Sequence, residues 1–256
     1  MMAIKLWPNS NLVNKEIYKD IISYSGLLPF NRARTRAILR IGPHNIDVLS
    51  IIVCGILGDW WADSIKGIIL PSVRFNIEQC VKNSAYIHNL SMLMFELGYC
   101  SSFIPKLVKK SEGINDKRKD NSVTRYNYKL TLFTFTNLHW IYEGFYHKVN
   151  NVTVKKIPIW IGEYITPIGL AHWIMQDGSR QKRQGITLAT YSFTEQECIL
   201  LAKILSNKFN LKTSVIKSGF DNQWKISVKK ESMKLLVSIV KEHVVLEMHY
   251  KLADYI

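Results

Sequence analysis

Leu170-Ala171-His172-Trp173-Ile174-Met175-Gln176-Asp177-Gly178 is an apolar, helix-compatible run that stops on a carboxylate, and it has a twin earlier in the chain, Ile52-Val53-Cys54-Gly55-Ile56-Leu57-Gly58-Asp59. The second helix opens on Thr166 as a cap with Pro167 in its first turn, and Gly178 stands where a helix would close. The first runs from about Ile46 to Asp59 behind Asn45, another good cap. Both are apolar on nearly every face, so both must be buried all round. Gly55 and Gly58 cost helix propensity, about 1 kcal/mol each against alanine. Their expected return, with Gly169 and Ala171 in the second helix, is close approach of one helix to the other. Packed together, the two helices bring Asp59 and Asp177 out side by side.

The segments that follow can be laid over each other. Phe75 to Gln79 matches Ile186 to Thr190, and Cys80–Cys100 aligns with Tyr191–Leu211 without a gap. Each contains a helical pattern, Ile87, Leu90, Leu93 and Met94 in one and Cys198, Leu201, Ile204 and Leu205 in the other. Tyr128–Leu132 matches Trp224–Val228, and both alternate apolar with polar residues as half-buried strands do. The chain therefore divides into an extension over 1–44, a first half over 45–156 and a second over 157–256. Within the extension a weak helix is expected around Val13–Tyr24, then a basic stretch holding Arg32, Arg34, Arg36 and Arg40. The first half alone carries an insertion, Lys109 to Thr124, rich in lysine and arginine and read as an exposed loop or a phosphate-contacting arm.

The 256 residues carry 34 Lys and Arg against 20 Asp and Glu, a formal net charge of +14, which favours a polyanionic partner. No apolar run reaches the roughly 20 residues of a spanning helix, so no membrane is expected. Cys54, Cys80, Cys100 and Cys198 form no CxxC pair, which points to free thiols and away from a zinc site. Neither a signal peptide nor a transit peptide is recognisable at the start, so the protein is expected to act where it is made. His172 is read as a core or interface histidine, since no serine or cysteine partner has matching context. Most of the tryptophans and tyrosines fall at apolar positions and are read as core.

On these two motifs and the shared element order, the chain resembles the LAGLIDADG homing endonucleases, in particular the single-chain kind encoded in organellar introns. The likeness runs from about Asn45 to the C-terminus. The first motif departs from the pattern in having Trp60 where glycine is usual. The resemblance implies an α+β fold of two pseudo-symmetric αββαββα halves, with a two-helix interface at the centre and two saddle-shaped antiparallel sheets along DNA. It implies a monomer that hydrolyses both strands of a long pseudo-palindromic duplex site, on the order of two helical turns, across the minor groove, leaving short 3′ overhangs. Mg²⁺ is the expected cofactor, with Mn²⁺ able to substitute and Ca²⁺ binding without supporting cleavage.

Asp59 and Asp177 are the expected catalytic and metal-ligating carboxylates, at helix ends whose partial negative charge also favours a cation. Gly58 and Gln176 are placed beside the metal, and Asp63 flanks the first motif. The family adds a basic residue from each half, and Lys156 and Lys251 match those positions. Expected DNA contacts in the first half are Ser64, Lys66, Arg74, Asn76, Glu78, Lys106, Asn127, Lys129 and Thr131. In the second they are Arg180, Lys182, Arg183, Gln184, Thr187, Lys217, Lys225, Ser227 and Lys229. A mitochondrial or other organellar location follows from the same resemblance. The rival readings are an intron RNA maturase, whose partner is its own intron RNA, and a transcription regulator on the same scaffold; retention of both aspartates favours the nuclease.

Overall fold

The computed structural model describes residues 34–110, 125–182, 184–252 and 255–256. The expected helix at Val13–Tyr24, residues 111–124 of the insertion, Arg32 and Arg183 lie outside these.

Helix α1, Ile46–Leu57, begins at Asn45, whose side chain accepts from the Asp47 N–H. It ends at Gly58, two residues short of the strand that carries the chain away. From it the chain runs through β1 (Trp60–Ile65), β2 (Ser72–Cys80), α2 (Ser84–Glu96), β3 (Lys106–Lys110), β4 (Arg125–Phe135) and α3 (His139–Phe145). A hairpin of β5 (Tyr146–Val149) and β6 (Val152–Lys155) and a one-turn helix α4 (Ile161–Tyr164) then lead to α5, Pro167–Asp177. Thr166 caps α5 by accepting from the Gly169 N–H, with Pro167 in the first turn. The order repeats as β7 (Gly178–Gln181), β8 (Gly185–Ala189), α6 (Glu195–Phe209), β9 (Thr213–Lys217), β10 (Trp224–Lys229) and α7 (Met233–Val240).

Each half therefore reads αββαββα, and the two four-stranded antiparallel sheets share one topology, β1-β2-β4-β3 and β7-β8-β10-β9. The register agrees too: Ile77 lies opposite Trp60 and Leu130 as Leu188 lies opposite Gly178 and Ile226. One face of each sheet packs on the helices, through Val73, Phe75, Ile77, Leu130 and Leu132 in the first and Ile186, Leu188, Ile226 and Val228 in the second, all buried. The other face carries the polar members of the alternation. One continuous core runs through both halves. No helix among the described residues is long and apolar enough to cross a membrane.

Helices α1 and α5 meet along the middle of the molecule. A Cβ on Gly169 would lie 2.1 Å from Ser50 Oγ and 2.7 Å from Cys54 Sγ, and one on Gly58 would lie 2.5 Å from Gln176 Oε1. These glycines let the two helices close on each other. Gly55 does something else: its missing Cβ leaves room for the indole of Trp60, 2.5 Å away, within the same half. At the start of α5, Ser50 Oγ donates to Tyr164 O (2.6 Å) and lies 2.8 Å from Thr166 Oγ1, tying the cap of one helix to the body of the other.

The described part of the extension, 34–44, braces the first sheet. Arg40 donates to Thr134 O and lies 4.5 Å from the centre of the Phe133 ring, while His44 bonds Tyr99 and Asn137.

Candidate active site and nucleic-acid interface

Where α1 and α5 end, the chain turns directly into β1 and β7, so both aspartates sit at the junction of helix pair and sheets. Gln176 fastens the junction. Its Oε1 accepts from the Asp59 N–H (2.9 Å) and its Nε2 donates to Tyr86 Oη (2.8 Å), leaving the tyrosine hydroxyl to donate to His172 Nδ1 (3.0 Å). His172 is thus a neutral interface histidine, its pKa pushed down to about 3 by burial and by His243. Gln176 was expected beside the metal; its side chain is committed to this chain of bonds, and its main-chain carbonyl accepts from Lys251.

The Asp59 carboxylate is positioned by a residue the sequence reasoning missed. Gln79 Nε2 donates to Asp59 Oδ2 at 2.6 Å, and Asn83 Nδ2 in turn donates to Gln79 Oε1 at 2.7 Å. A signal was available: Gln79 follows Val73, Phe75 and Ile77 at the same strand parity, so a polar side chain occupies an inward position and must have a partner there.

Two ammonium groups lie beneath the carboxylates. Lys251 Nζ donates to the carbonyls of Ile174, Met175 and Gln176, the last turn of α5. Lys155 Nζ donates to Ile56 O (2.9 Å) and Trp60 O (3.1 Å), at the end of α1. Each cation thereby meets carbonyls left open where a helix ends. Burial pushes both lysines below the ordinary lysine value, while the charges of Asp177 and Asp59 pull them back up. Lys156, the expected first-half lysine, is not the one that reaches the centre; among the described residues its hydrogen bond is that of its main-chain N–H to Phe145 O. Lys155 is the last residue of β6, opposite Tyr146, and its half-buried side chain reaches the end of α1.

Asp177 is held up at about 7, first by burial and then by the charge of Asp59, against the opposing pull of Lys251 and Lys155. Among the described residues no group of three or more His, Cys, Asp or Glu is gathered in one place. Two hard carboxylates without a protein cage suit a hard divalent ion that takes its remaining ligands from phosphate and water, and they do not suit zinc.

The strand register sorts the expected DNA contacts by face. In the first sheet Arg74, Asn76, Glu78, Lys106, Asn127, Lys129 and Thr131 share the outer face with Trp61 and Asp63. Lys129 Nζ lies 5.1 Å from the Trp61 ring centre, and Glu78 pairs with Lys110 and accepts from Asn127. Lys66 is exposed in the β1–β2 loop. In the second sheet Thr187, Lys225, Ser227 and Lys229 share the outer face with Ser179 and Gln181, and exposed Lys182 and Gln184 form the β7–β8 turn.

Ser64, Arg180 and Lys217 depart from expectation. Ser64 has the parity of buried Trp60 and Ala62 and bonds His139 Nε2; Arg180 lies opposite buried Ile186, and Lys217 opposite Trp224. All three are on the helix-side face, because a one-residue step along a strand reverses the face.

A pseudo-symmetric pair of antiparallel sheets hung from two carboxylate-tipped helices defines a class. The profile of the LAGLIDADG DNA endonuclease family matches residues 49–236, and the chain belongs to that family. The chain is 35% identical over 219 residues to the cytochrome b mRNA maturase bI2 of Saccharomyces cerevisiae, a match spanning 84% of this chain and 49% of that relative. Thus the chain spans about half the length of that relative. An intron-encoded endonuclease ai4 of Dictyostelium discoideum is 36% identical over 60% of this chain and 92% of its own length. Among solved structures, the homing endonuclease I-WcaI bound to its DNA recognition sequence superposes with a TM-score of 0.67 at 22% identity, over 90% of this chain and 98% of that one, a likeness of fold.

Proposed function

We propose that the protein is a sequence-specific double-strand DNA endonuclease that uses divalent metal ions at Asp59 and Asp177. The carrying observation is the carboxylate pair itself, in which Asp177 is raised to about 7 by burial and by its neighbour's charge. Bound Mg²⁺ would neutralise phosphate charge, acidify a water nucleophile and assist the leaving oxygen, the three needs of phosphodiester hydrolysis. Asp59 and Asp177 would hold it, with the Gly58 and Gln176 carbonyls adjacent; Mn²⁺ is expected to substitute and Ca²⁺ to bind without turnover.

The chain's own groups do the rest. Gln79 orients the Asp59 carboxylate, and the Gln176 carboxamide fixes the main chain that bears it. Lys155 and Lys251 keep positive charge beneath the reacting phosphates and close the ends of both helices. The outer sheet faces hold the duplex along its major groove, with Arg74, Lys106, Lys129, Lys225 and Lys229 as cations and Asn127, Thr131 and Ser227 as polar contacts. Cleavage falls at the centre of a site about two helical turns long, across the minor groove, with short 3′ overhangs. One chain suffices, since it contains both halves, 45–156 and 157–256.

The test is a supercoiled plasmid library carrying randomised duplex sites, incubated with the protein in Mg²⁺ or Ca²⁺. Linear product in Mg²⁺ alone, reduced to nicked circles or nothing by Asp59→Asn or Asp177→Asn, supports the proposal; linearisation that survives either substitution overturns it. A second reading, intron RNA binding as a maturase, is favoured by the names of two relatives, both cytochrome b mRNA maturases. RNA binding without any cut of DNA would select it. The same names support an organellar, mitochondrial site of action.

A further inference from the structure

Most polar groups on the outer sheet faces are cations or neutral donors, which suits a polyanion. Asp63 is an exposed carboxylate on the outer face of β1, an edge strand of the first sheet, in register with Arg74. Glu78, the other acid there, is neutralised by Lys110. No lysine or arginine among the described residues forms an ion pair with Asp63. It is held instead by a neutral group: Asn76 Nδ2 donates to Asp63 Oδ2 at 2.9 Å.

Asn76 was itself expected to touch DNA. It is 2% exposed, its Oδ1 accepts from Thr131 Oγ1 at 2.9 Å, and its Nδ2 also reaches Arg74 O at 3.4 Å. With both amide protons engaged, Asn76 has no donor left for a base. It serves as a fixture for one oxygen of the exposed Asp63, and no hydrogen bond among the described residues engages the other. A fixed carboxylate beside a phosphate backbone is unfavourable unless something on the DNA donates to it.

The second half repeats the device with other residues. Gln181 is four residues beyond Asp177, as Asp63 is four beyond Asp59. Its Nε2 donates to Thr187 Oγ1 at 3.1 Å, and Thr187 holds the register position of Asn76, opposite Ser179 as Asn76 is opposite Trp61. What remains outward is Gln181 Oε1, again an acceptor.

We propose that Asp63, with Gln181 as its counterpart, is a specificity determinant that accepts a hydrogen bond from the exocyclic amino group of a base in the major groove, cytosine N4 or adenine N6. The assignment rests on the DNA-endonuclease reading above. Guanine O6 and thymine O4 are acceptors at the corresponding place and would face the carboxylate with like polarity. Four residues of extended strand span about 13 Å, so the base read lies about four steps of roughly 3.4 Å outward from the scissile centre. The charged acceptor in the first half should discriminate more sharply than the neutral one in the second, since an unpaired buried charge costs more than an unpaired amide.

The experiment selects bound duplexes from a randomised library with the full chain in Ca²⁺, then repeats the selection with Asp63→Asn, an isosteric change at an exposed position that keeps the bond from Asn76. The wild type is expected to exclude guanine and thymine from one strand at one position about four steps from the centre, by about ten-fold or more. Asp63→Asn should switch that position alone toward guanine or thymine, because with its oxygen held by Asn76 the amide presents its Nδ2 donor to the base, which suits guanine O6 or thymine O4. Replacing the selected cytosine by 2-pyrimidinone, or a selected adenine by purine, removes only the amino group and tells the two bases apart; the loss should be about ten-fold for the wild type and absent for Asp63→Asn. A profile unmoved by Asp63→Asn, or a wild type that accepts guanine or thymine there, overturns the inference and leaves the endonuclease standing. A wild type that enriches no duplex at all overturns both.

Discussion

The two halves bury one indole each near their aspartate, but from opposite members of the same pair of positions. With Asp59 set against Asp177, Gly55 in α1 faces Trp173 in α5, and Trp60 in β1 faces Gly178 in β7. In the first half the ring stands on the strand and the helix carries the hole; in the second the ring stands on the helix. Trp60 and Trp173 are both fully buried. The likeness ends there: a Cβ on Gly55 would meet the Trp60 ring, whereas one on Gly178 would meet the carbonyl and side chain of Ile174 and not the Trp173 ring. The polar surroundings have diverged further. Asp59 has Gln79, whereas the matching residue of the second half, Thr190, donates to Trp224 O. The shared requirement is the pair of carboxylates over a pair of lysines; the supports around it are free to differ.

Removing the lysines tests that shared requirement most severely. Lys155→Met and Lys251→Met should each lower cleavage in Mg²⁺ by about 10²- to 10³-fold, measured as single-turnover linearisation of a target plasmid. Lys156→Met, one residue away, should cleave like the wild type. Equal losses at 155 and 156 would show that contact with the end of α1 does not select the functional lysine.

The carboxylates can be separated by pH. Asp177 in the folded, metal-free protein keeps its proton up to about 7 against an ordinary value of 3.8. Its contribution to stability is therefore complete below about pH 4 and is lost as pH rises through 7, the folded state binding the extra proton throughout that window. The wild type should lose a few kcal/mol between pH 4.5 and 8 relative to Asp177→Asn, read from urea midpoints with chelator present. Millimolar Mg²⁺ should flatten the difference. A wild type and Asp177→Asn that respond alike to pH would show that neither burial nor the neighbouring Asp59 raises the Asp177 carboxyl.

The glycine exchange is tested by refilling the holes. Gly169→Ala puts a methyl where Ser50 Oγ and Cys54 Sγ stand, and Gly55→Ala puts one into the Trp60 ring. Each should cost about 1–3 kcal/mol, or about 2–4 °C of melting temperature per kcal/mol for a chain of this length. Gly55→Ala combined with Trp60→Gly restores the space but discards a buried indole, so it should be less stable than Gly55→Ala and no less stable than Trp60→Gly, where the added methyl meets no ring.

Much of this is legible in the sequence. The caps at Asn45 and Thr166 and the buried helices behind them follow from local chemistry, and the in-register likeness of Phe75–Gln79 to Ile186–Thr190 carries straight into the two sheets. What escaped depends on single-residue phase or on distant partners. Choosing Lys156 over Lys155 is an error of one residue, as is placing Ser64, Arg180 and Lys217 on the outer face. Gly55 was read as helix contact because the ring that fills it arrives from beyond the turn. The β5–β6 hairpin that delivers Lys155 carries weak alternation in only four residues per strand, too little to announce itself.

Gln79 gives the smallest expected effect and the sharpest comparison. Gln79→Leu keeps bulk at an inward strand position and deletes the 2.6 Å bond to Asp59, leaving Asn83 without its acceptor. Loss of an orienting bond to a metal-binding carboxylate costs about ten-fold or somewhat more. The matching change, Thr190→Val, removes a hydroxyl whose partners among the described residues are Trp224 O and Cys198 Sγ, and it should leave cleavage unaltered. If each carboxylate serves chiefly one strand, Gln79→Leu slows one nick and spares the other, so end-labelled duplex should accumulate a nicked intermediate with a fixed strand bias. Uniform slowing of both nicks would mean that the two carboxylates act as one site, and Gln79 would then orient a shared centre instead of one half of it.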